Sequence, residues 1–211
     1  MVHSYAVADL SSMKITAIKQ QIKNPERVSV FVDRSYEFSL SLDELLKEKI
    51  KNGLELSTED LKRLKKISVD GKLRMRAMEW LLNRPHSERE FRDYLYRKKA
   101  EPELIESFTN EFTAKGYLDN RKFGEWFVEL QKRRNKSDRA IRAELFKKGI
   151  SREIADELLE SESGDELERL KQMVTKKQRL TRYRNDPTKL KRYLAGQGFS
   201  YDQINEALKN T

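Results

Sequence analysis

Ile141-Arg142-Ala143-Glu144-Leu145-Phe146-Lys147-Lys148-Gly149-Ile150 is followed at once by Ser151 and a second apolar pattern, Ile154, Ala155 and Leu158. Ile141 and Leu145 share one face of a 3.6-residue period, Gly149 stands where a helix stops, and Ser151 is placed to cap the next one. About forty-nine residues later the phrase returns. It reads Leu190-Lys191-Arg192-Tyr193-Leu194, then Gln197-Gly198-Phe199, then Ser200 with Ile204, Ala207 and Leu208. About fifty residues earlier stands Phe91-Arg92-Asp93-Tyr94-Leu95, then Lys98-Lys99-Ala100, then Leu104, Ile105 and Phe108. Each copy is preceded by a longer apolar-periodic stretch, bearing Trp80, Trp126 with Phe127, and Leu170 with Val174. The unit is therefore three helices, repeated three times. A period near fifty residues is a repeat-array length, and such units complete their cores by stacking, which gives an elongated array with an extended face.

The punctuation agrees. Ser87 is followed three residues on by Glu90, and Ser137, Ser151 and Ser200 each precede a helical pattern. Asp186-Pro187 supplies an N-cap with proline at the first helical position, and Gly116, Gly149 and Gly198 mark helix ends. Before the array the reading changes. Val28 to Val32 and Tyr36 to Leu40 read as a hairpin turning at Asp33-Arg34-Ser35, with Ile15 to Ile18 as a third strand. Leu42, Leu45, Leu46 and Ile50 make a covering helix, capped by Ser41 with Glu44 and ended by Gly53. A second short helix opens at Thr58 and carries Leu61, Leu64 and Ile67. The expected class is mainly α: a tandem array of three three-helix repeats after a small β-hairpin-plus-helix N-terminal segment. The expected divisions are a disordered or artificial tail at 1–12, the α+β segment at 13–71, and repeats at 72–119, 120–163 and 164–211.

Composition narrows the chemistry. The chain has 211 residues, 37% of them charged, and a formal net charge of +9, which implies an acidic partner. Residues 1–71 hold 12 Lys+Arg and 11 Asp+Glu, so nearly all of the surplus lies in residues 72–211. The absence of cysteine excludes disulfides, thiolate catalysis and Cys-ligated zinc, and fits a reducing cytoplasm. No apolar run approaches bilayer length, and the first twelve residues lack the basic and apolar regions of a signal peptide. His3 and His86 form no metal pair, and neither G-x-x-x-x-G-K-[ST] nor G-x-G-x-x-G is present. We expect no catalytic residue, no metal and no cofactor, hence not an enzyme.

Arg84-Pro85-His86-Ser87-Glu88-Arg89-Glu90-Phe91 resembles the R-x-x-S-x-x-E-L element of the RecX family, with Phe91 for the usual Leu. Gly116-Tyr117-Leu118-Asp119, with Phe123 and Trp126, is similar to that family's glycine–aliphatic–Asp element and aromatic helix, and Ile141 to Ile150 to its I-x-x-E-L-x-x-K-G-I element. The resemblance covers residues 72–211; the segment 14–70 resembles an N-terminal extension of some members. Arg134-Asn135-Lys136-Ser137-Asp138 departs from the Gly or Pro turn that many members carry there. Each element is also explained by helix capping; their order is what is specific. The resemblance implies a modulator that lies in the groove of the RecA filament on single-stranded DNA and blocks strand exchange and co-protease action. RecA would be its partner, with DNA held weakly or through RecA, no membrane, and a monomeric state. Two basic runs, 131–148 and 169–192, would supply the contact face through Arg133, Arg134, Arg142, Lys147, Lys148, Arg182, Arg184 and Arg192. Tyr183 and Tyr193 lie among these bases, either stacking on single-stranded DNA or packing between helices. The competing expectation is an autonomous DNA-binding protein with the helix at 138–148 as a helix-turn-helix-like reader.

Overall fold

A computed structural model describes residues 12–160 and 166–209. The expected tail up to residue 11, His3 within it, and the expected 163/164 boundary lie outside the described residues. The chain divides between Glu79 and Trp80 into two compact units.

In the first unit, strands β1 (Met13–Gln21), β2 (Asn24–Val32), β3 (Ser35–Ser41) and β4 (Glu55–Leu56) form one antiparallel sheet in the order β3-β2-β1-β4. Val28, Val30 and Val32 alternate onto the face that also buries Ile15, Phe38 and Leu40. The β2–β3 turn is tighter than expected, a two-residue loop of Asp33 (φ 48°) and Arg34 (φ 69°). Two left-handed central residues make the primed turn that suits strand twist. Without glycine it is steadied from β1: the Lys14 amide donates to Asp33 Oδ1 at 3.1 Å, and the Arg34 amide to Thr16 Oγ1 at 2.9 Å.

Helix α1 (Leu42–Lys47) starts in a reciprocal capping box of Ser41 and Glu44. It ends at Lys49 (φ 53°), not at Gly53, which turns the chain into β4 instead. Leu45 and Ile50 reach the core as expected, whereas Leu42 and Leu46 are exposed. The larger correction concerns α2, which runs unbroken from Thr58 to Leu82. The short helix expected at Thr58 is its first half, and the 71/72 boundary falls inside it. Asp70-Gly71 does not break it, because one glycine costs a helix only about 1 kcal/mol. Here Gly71 also admits the Glu44 carboxylate: a Cβ would sit 2.0 Å from its Oε1.

The second unit is helical throughout its described residues. It continues through α3 (Glu88–Arg97), α4 (Pro102–Ala114), α5 (Asn120–Arg133), α6 (Asp138–Lys147), α7 (Arg152–Glu160), α8 (Glu166–Gln178), α9 (Thr181–Arg184), α10 (Pro187–Gly196) and α11 (Tyr201–Lys209). Helices α3, α6 and α10 are equivalent, and so are α4, α7 and α11. Their buried residues superpose by number: Ile141, Leu145, Ile150 and Ala155 in one core match Leu190, Leu194, Phe199 and Ile204 in the next. The single turn α9 is an addition the repeat did not predict. It inserts Tyr183, 5% exposed, into the third core. Tyr183 and Tyr193 lie 5.6 Å apart, so of the two roles open to them packing is the one adopted. Ser87, Ser137, Asp119 and Asp186 cap their helices as read, each accepting a backbone amide.

Candidate functional site

Successive repeats meet at the ends of their middle helices, and these joints decide which cations are free. At the first joint, the Glu90 carboxylate near the start of α3 accepts from Lys148 Nζ (2.8 Å) beyond α6, and from Arg84 Nη1 (2.9 Å); His86 Nδ1 lies 3.2 Å away. Burial alone would push this carboxyl up. The bonds from His86, Arg84 and Lys148 outweigh it and hold the group well below the ordinary carboxylate range. His86 is buried and stacked on Trp80 at 3.5 Å, and Arg84 lies over the Trp126 ring at 4.9 Å.

At the second joint the Ser137 amide donates to the Gln197 carbonyl (3.0 Å), and Arg139 Nε to the Gly198 carbonyl (3.1 Å). Arg169 pairs with Asp138 at 2.8 Å, and the Asp138 amide donates to Glu166 Oε1 at 2.7 Å. Gly149 and Gly198 are left-handed (φ 80° and 98°), and each is approached by the preceding repeat. A Cβ on Gly149 would lie 2.9 Å from Arg89 Cβ, and one on Gly198 would lie 2.4 Å from Ser137 Oγ. The equivalent residue of the first repeat, Lys99 (φ 59°), is exposed and keeps a side chain.

The eight expected contact residues fall into separate groups. Lys148 pairs with Glu90 at 2.8 Å, and Arg142 with Asp156 at 2.8 Å, so both already have a partner within the array. Arg133 pairs with Glu129 on its own helix, and Lys147 with Glu144 at 3.0 Å; such exposed pairs are worth a few tenths of a kcal/mol. Arg182 lies over the Tyr183 ring at 4.5 Å, and Arg184 donates weakly to the Arg179 carbonyl at 3.4 Å. Arg134 and Arg192 are exposed and make no side-chain bond among the described residues. The first turn of α6, which a groove-reading helix would present to bases, is already spent on α10.

The basic run 169–192 also carries a stripe along one helix face. Arg169, Gln172 and Lys176 follow the i, i+3, i+7 spacing on α8. With Lys177, and with Arg133 and Asn135 at the end of α5, they line a cleft of about 430 Å³ that has no carboxylate in its walls. The charge distribution points the same way: residues 164–211 hold 11 bases and 6 acids, against 11 and 9 in 120–163 and 10 and 9 in 72–119. A repeated cross-helix pair shows the change residue by residue. Arg92–Glu106 and Arg142–Asp156 are ion pairs, whereas the equivalent Lys191 meets the neutral Asn205 at 3.0 Å. Among the described residues no group of three or more His, Asp or Glu is placed to hold a metal, and no helix is long and apolar enough to cross a membrane.

Comparison with known proteins agrees with this architecture. Three family models match in chain order: the regulatory protein RecX N-terminal domain over residues 13–57, the second RecX three-helix domain over 119–159, and the third over 164–208. Regulatory protein RecX of Bacillus velezensis is 32% identical over 202 residues, 93% of this chain and 77% of that protein. The chain belongs to the RecX family. The RecX protein of Listeria innocua is 32% identical over 154 residues, 72% of this chain, a match that spans 57% of that relative's length. A crystal structure of a regulatory protein RecX matches the RecX fold described here with a TM-score of 0.70 at 22% identity, covering 92% of this chain and 99% of that one. RecX from Lactobacillus salivarius gives 0.56 at 23% identity, over 67% and 95% of the two chains.

Proposed function

We propose that this chain is a non-catalytic regulator of the RecA recombinase, binding the filament that RecA forms on single-stranded DNA and inhibiting its ATPase, strand exchange and co-protease activity. Membership of a family whose relatives are named regulatory proteins supports this reading. The observation that carries it is a tandem helical array whose surplus of positive charge gathers in its last repeat. Binding energy alone shifts a polymer between states when it favours one of them, so no reaction is needed. Phosphates or acidic protein surfaces would satisfy the cations, and affinity would fall with salt. The proposed setting is cytoplasmic and the proposed state monomeric. Of the eight expected contacts, Arg133, Arg134, Arg182, Arg184 and Arg192 stay assigned to the contact face, with Lys147 at its edge.

The test is co-sedimentation. RecA filaments assembled on single-stranded DNA are pelleted with this protein beside naked DNA at the same nucleotide concentration, in near-physiological salt. The filament is expected to carry the protein down at concentrations where naked DNA does not. Equal pelleting with both would leave an autonomous DNA-binding protein instead.

A further inference from the structure

We infer that the cleft between the end of α5 and α8 is a seat for the phosphodiester backbone of a single nucleic-acid strand. Its walls present Arg133, Arg169, Lys176 and Lys177, with the amides of Asn135 and Gln172 among them and no carboxylate. The cations differ in how they are held. Arg169 is fixed by Asp138 and by the Lys136 carbonyl at 3.3 Å, so its charge is matched and it shapes the floor of the cleft. Lys177 rests over the Tyr193 ring at 4.8 Å. Arg133 is bound only to exposed Glu129 on its own helix, and Lys176 is exposed, so both are available to an incoming anion at little cost.

The occupant follows from two features. The cleft, about 430 Å³, is larger than one inorganic anion needs, and the chain leaving it carries exposed Arg179, Arg182 and Arg184. From residue 170 to 185 there is no acidic residue at all. An extended polyanion matches that run. The nearby aromatic ring of Tyr183 is buried, so no stacking surface is offered there, and the contacts would be to phosphates and independent of base sequence. This deepens the filament reading, for it names the DNA strand as what the last repeat grips. Measured on DNA alone, it stands or falls apart from RecA binding.

The experiment is fluorescence anisotropy of a labelled oligothymidylate titrated with the full chain across a salt series, without RecA. The variant Arg133→Glu/Lys176→Glu reverses one charge on each wall. The control Lys51→Glu/Lys62→Glu makes the same change in net charge at exposed positions of the first unit. Lys177→Gln, a milder single change, guards against a folding defect, and circular dichroism is recorded for all. The cleft variant is expected to bind on the order of tenfold more weakly in low salt, with its log–log salt slope flatter by about 1.4, the loss of two phosphate contacts. Lys177→Gln flattens the slope by about half that, and the control leaves it unchanged. Equal losses in cleft variant and control would overturn the assignment, since charge alone would then suffice. So would polyglutamate competing as well as oligothymidylate at equal charge and losing as much to the cleft variant; the cleft would then hold an acidic protein segment.

Discussion

The two joints of the array use the same helix ends and different forces. Between the first and second repeats a partly buried carboxylate, Glu90, gathers Arg84, His86 and Lys148. Between the second and third, position 140 is alanine, equivalent to Glu90; the ion pair moves to Arg169 and Asp138, and the backbones close in, with Ser137 and Ala140 pressing on Gly198 while Arg139 bonds its carbonyl. Arg89 and Arg139 are equivalent by number, and each reaches the left-handed glycine of the next repeat. A shared fold thus constrains where repeats touch but leaves the type of contact to individual residues. A charge node tolerates small shifts, whereas close backbone packing does not.

The largest expected effect comes from the tighter joint. Gly198→Ala sets a Cβ against Ser137 Oγ at 2.4 Å and Ala140 Cβ at 2.6 Å, in a left-handed conformation. Strain and overpacking together predict a loss of about 2–4 kcal/mol in urea unfolding. The same change at Gly149, where Arg89 gives a 2.9 Å contact, should cost less, and Lys99→Gly should be near neutral because Lys99 is exposed and its φ of 59° suits glycine. If all three cost the same, the glycines serve only as helix ends and the joints differ less than described.

At the other joint Glu90→Gln leaves three cationic or polar groups without their anion, and a loss of about 1.5–3 kcal/mol is expected. Its pH signature separates it from a packing defect. The folded carboxyl is held below its ordinary value of 4.5. Its contribution is therefore complete above that pH and drains away as pH falls below it. Stability of the native chain should drop through that acid range more steeply than stability of Glu90→Gln; parallel acid limbs would show that Glu90 is not the node. The smallest effect is at Asn205→Asp, which gives Lys191 the partner its equivalents have. Stability should change by no more than about 0.5 kcal/mol.

What the sequence disclosed was local. Serine and aspartate caps, left-handed glycines and the 3.6-residue period all act within one or two turns, and each is written in neighbouring residues. The equivalence of Ile141, Leu190 and Phe91 was legible for the same reason. The unbroken α2 was hidden because Asp70-Gly71 looks like a stop, whereas one glycine costs a helix only about 1 kcal/mol and here leaves room for the Glu44 carboxylate. Helix α9 was hidden because a single turn has no period to read. The contact face was the least legible part. Whether a base is free depends on partners far along the chain: Glu90 lies 58 residues from Lys148, and Arg169 lies 31 from Asp138. Lys148 and Arg142 read as surface charge, and each is paired with a carboxylate within the array. The cleft combines the end of one helix with the stripe of another, two helices apart in sequence.

The most direct test of the regulatory reading is ATP hydrolysis by RecA on single-stranded DNA, titrated with this protein. Inhibition at well under one copy per RecA protomer is the predicted result, and it would place the chain on the filament. No effect until the DNA itself is saturated would contradict it and leave simple competition for DNA.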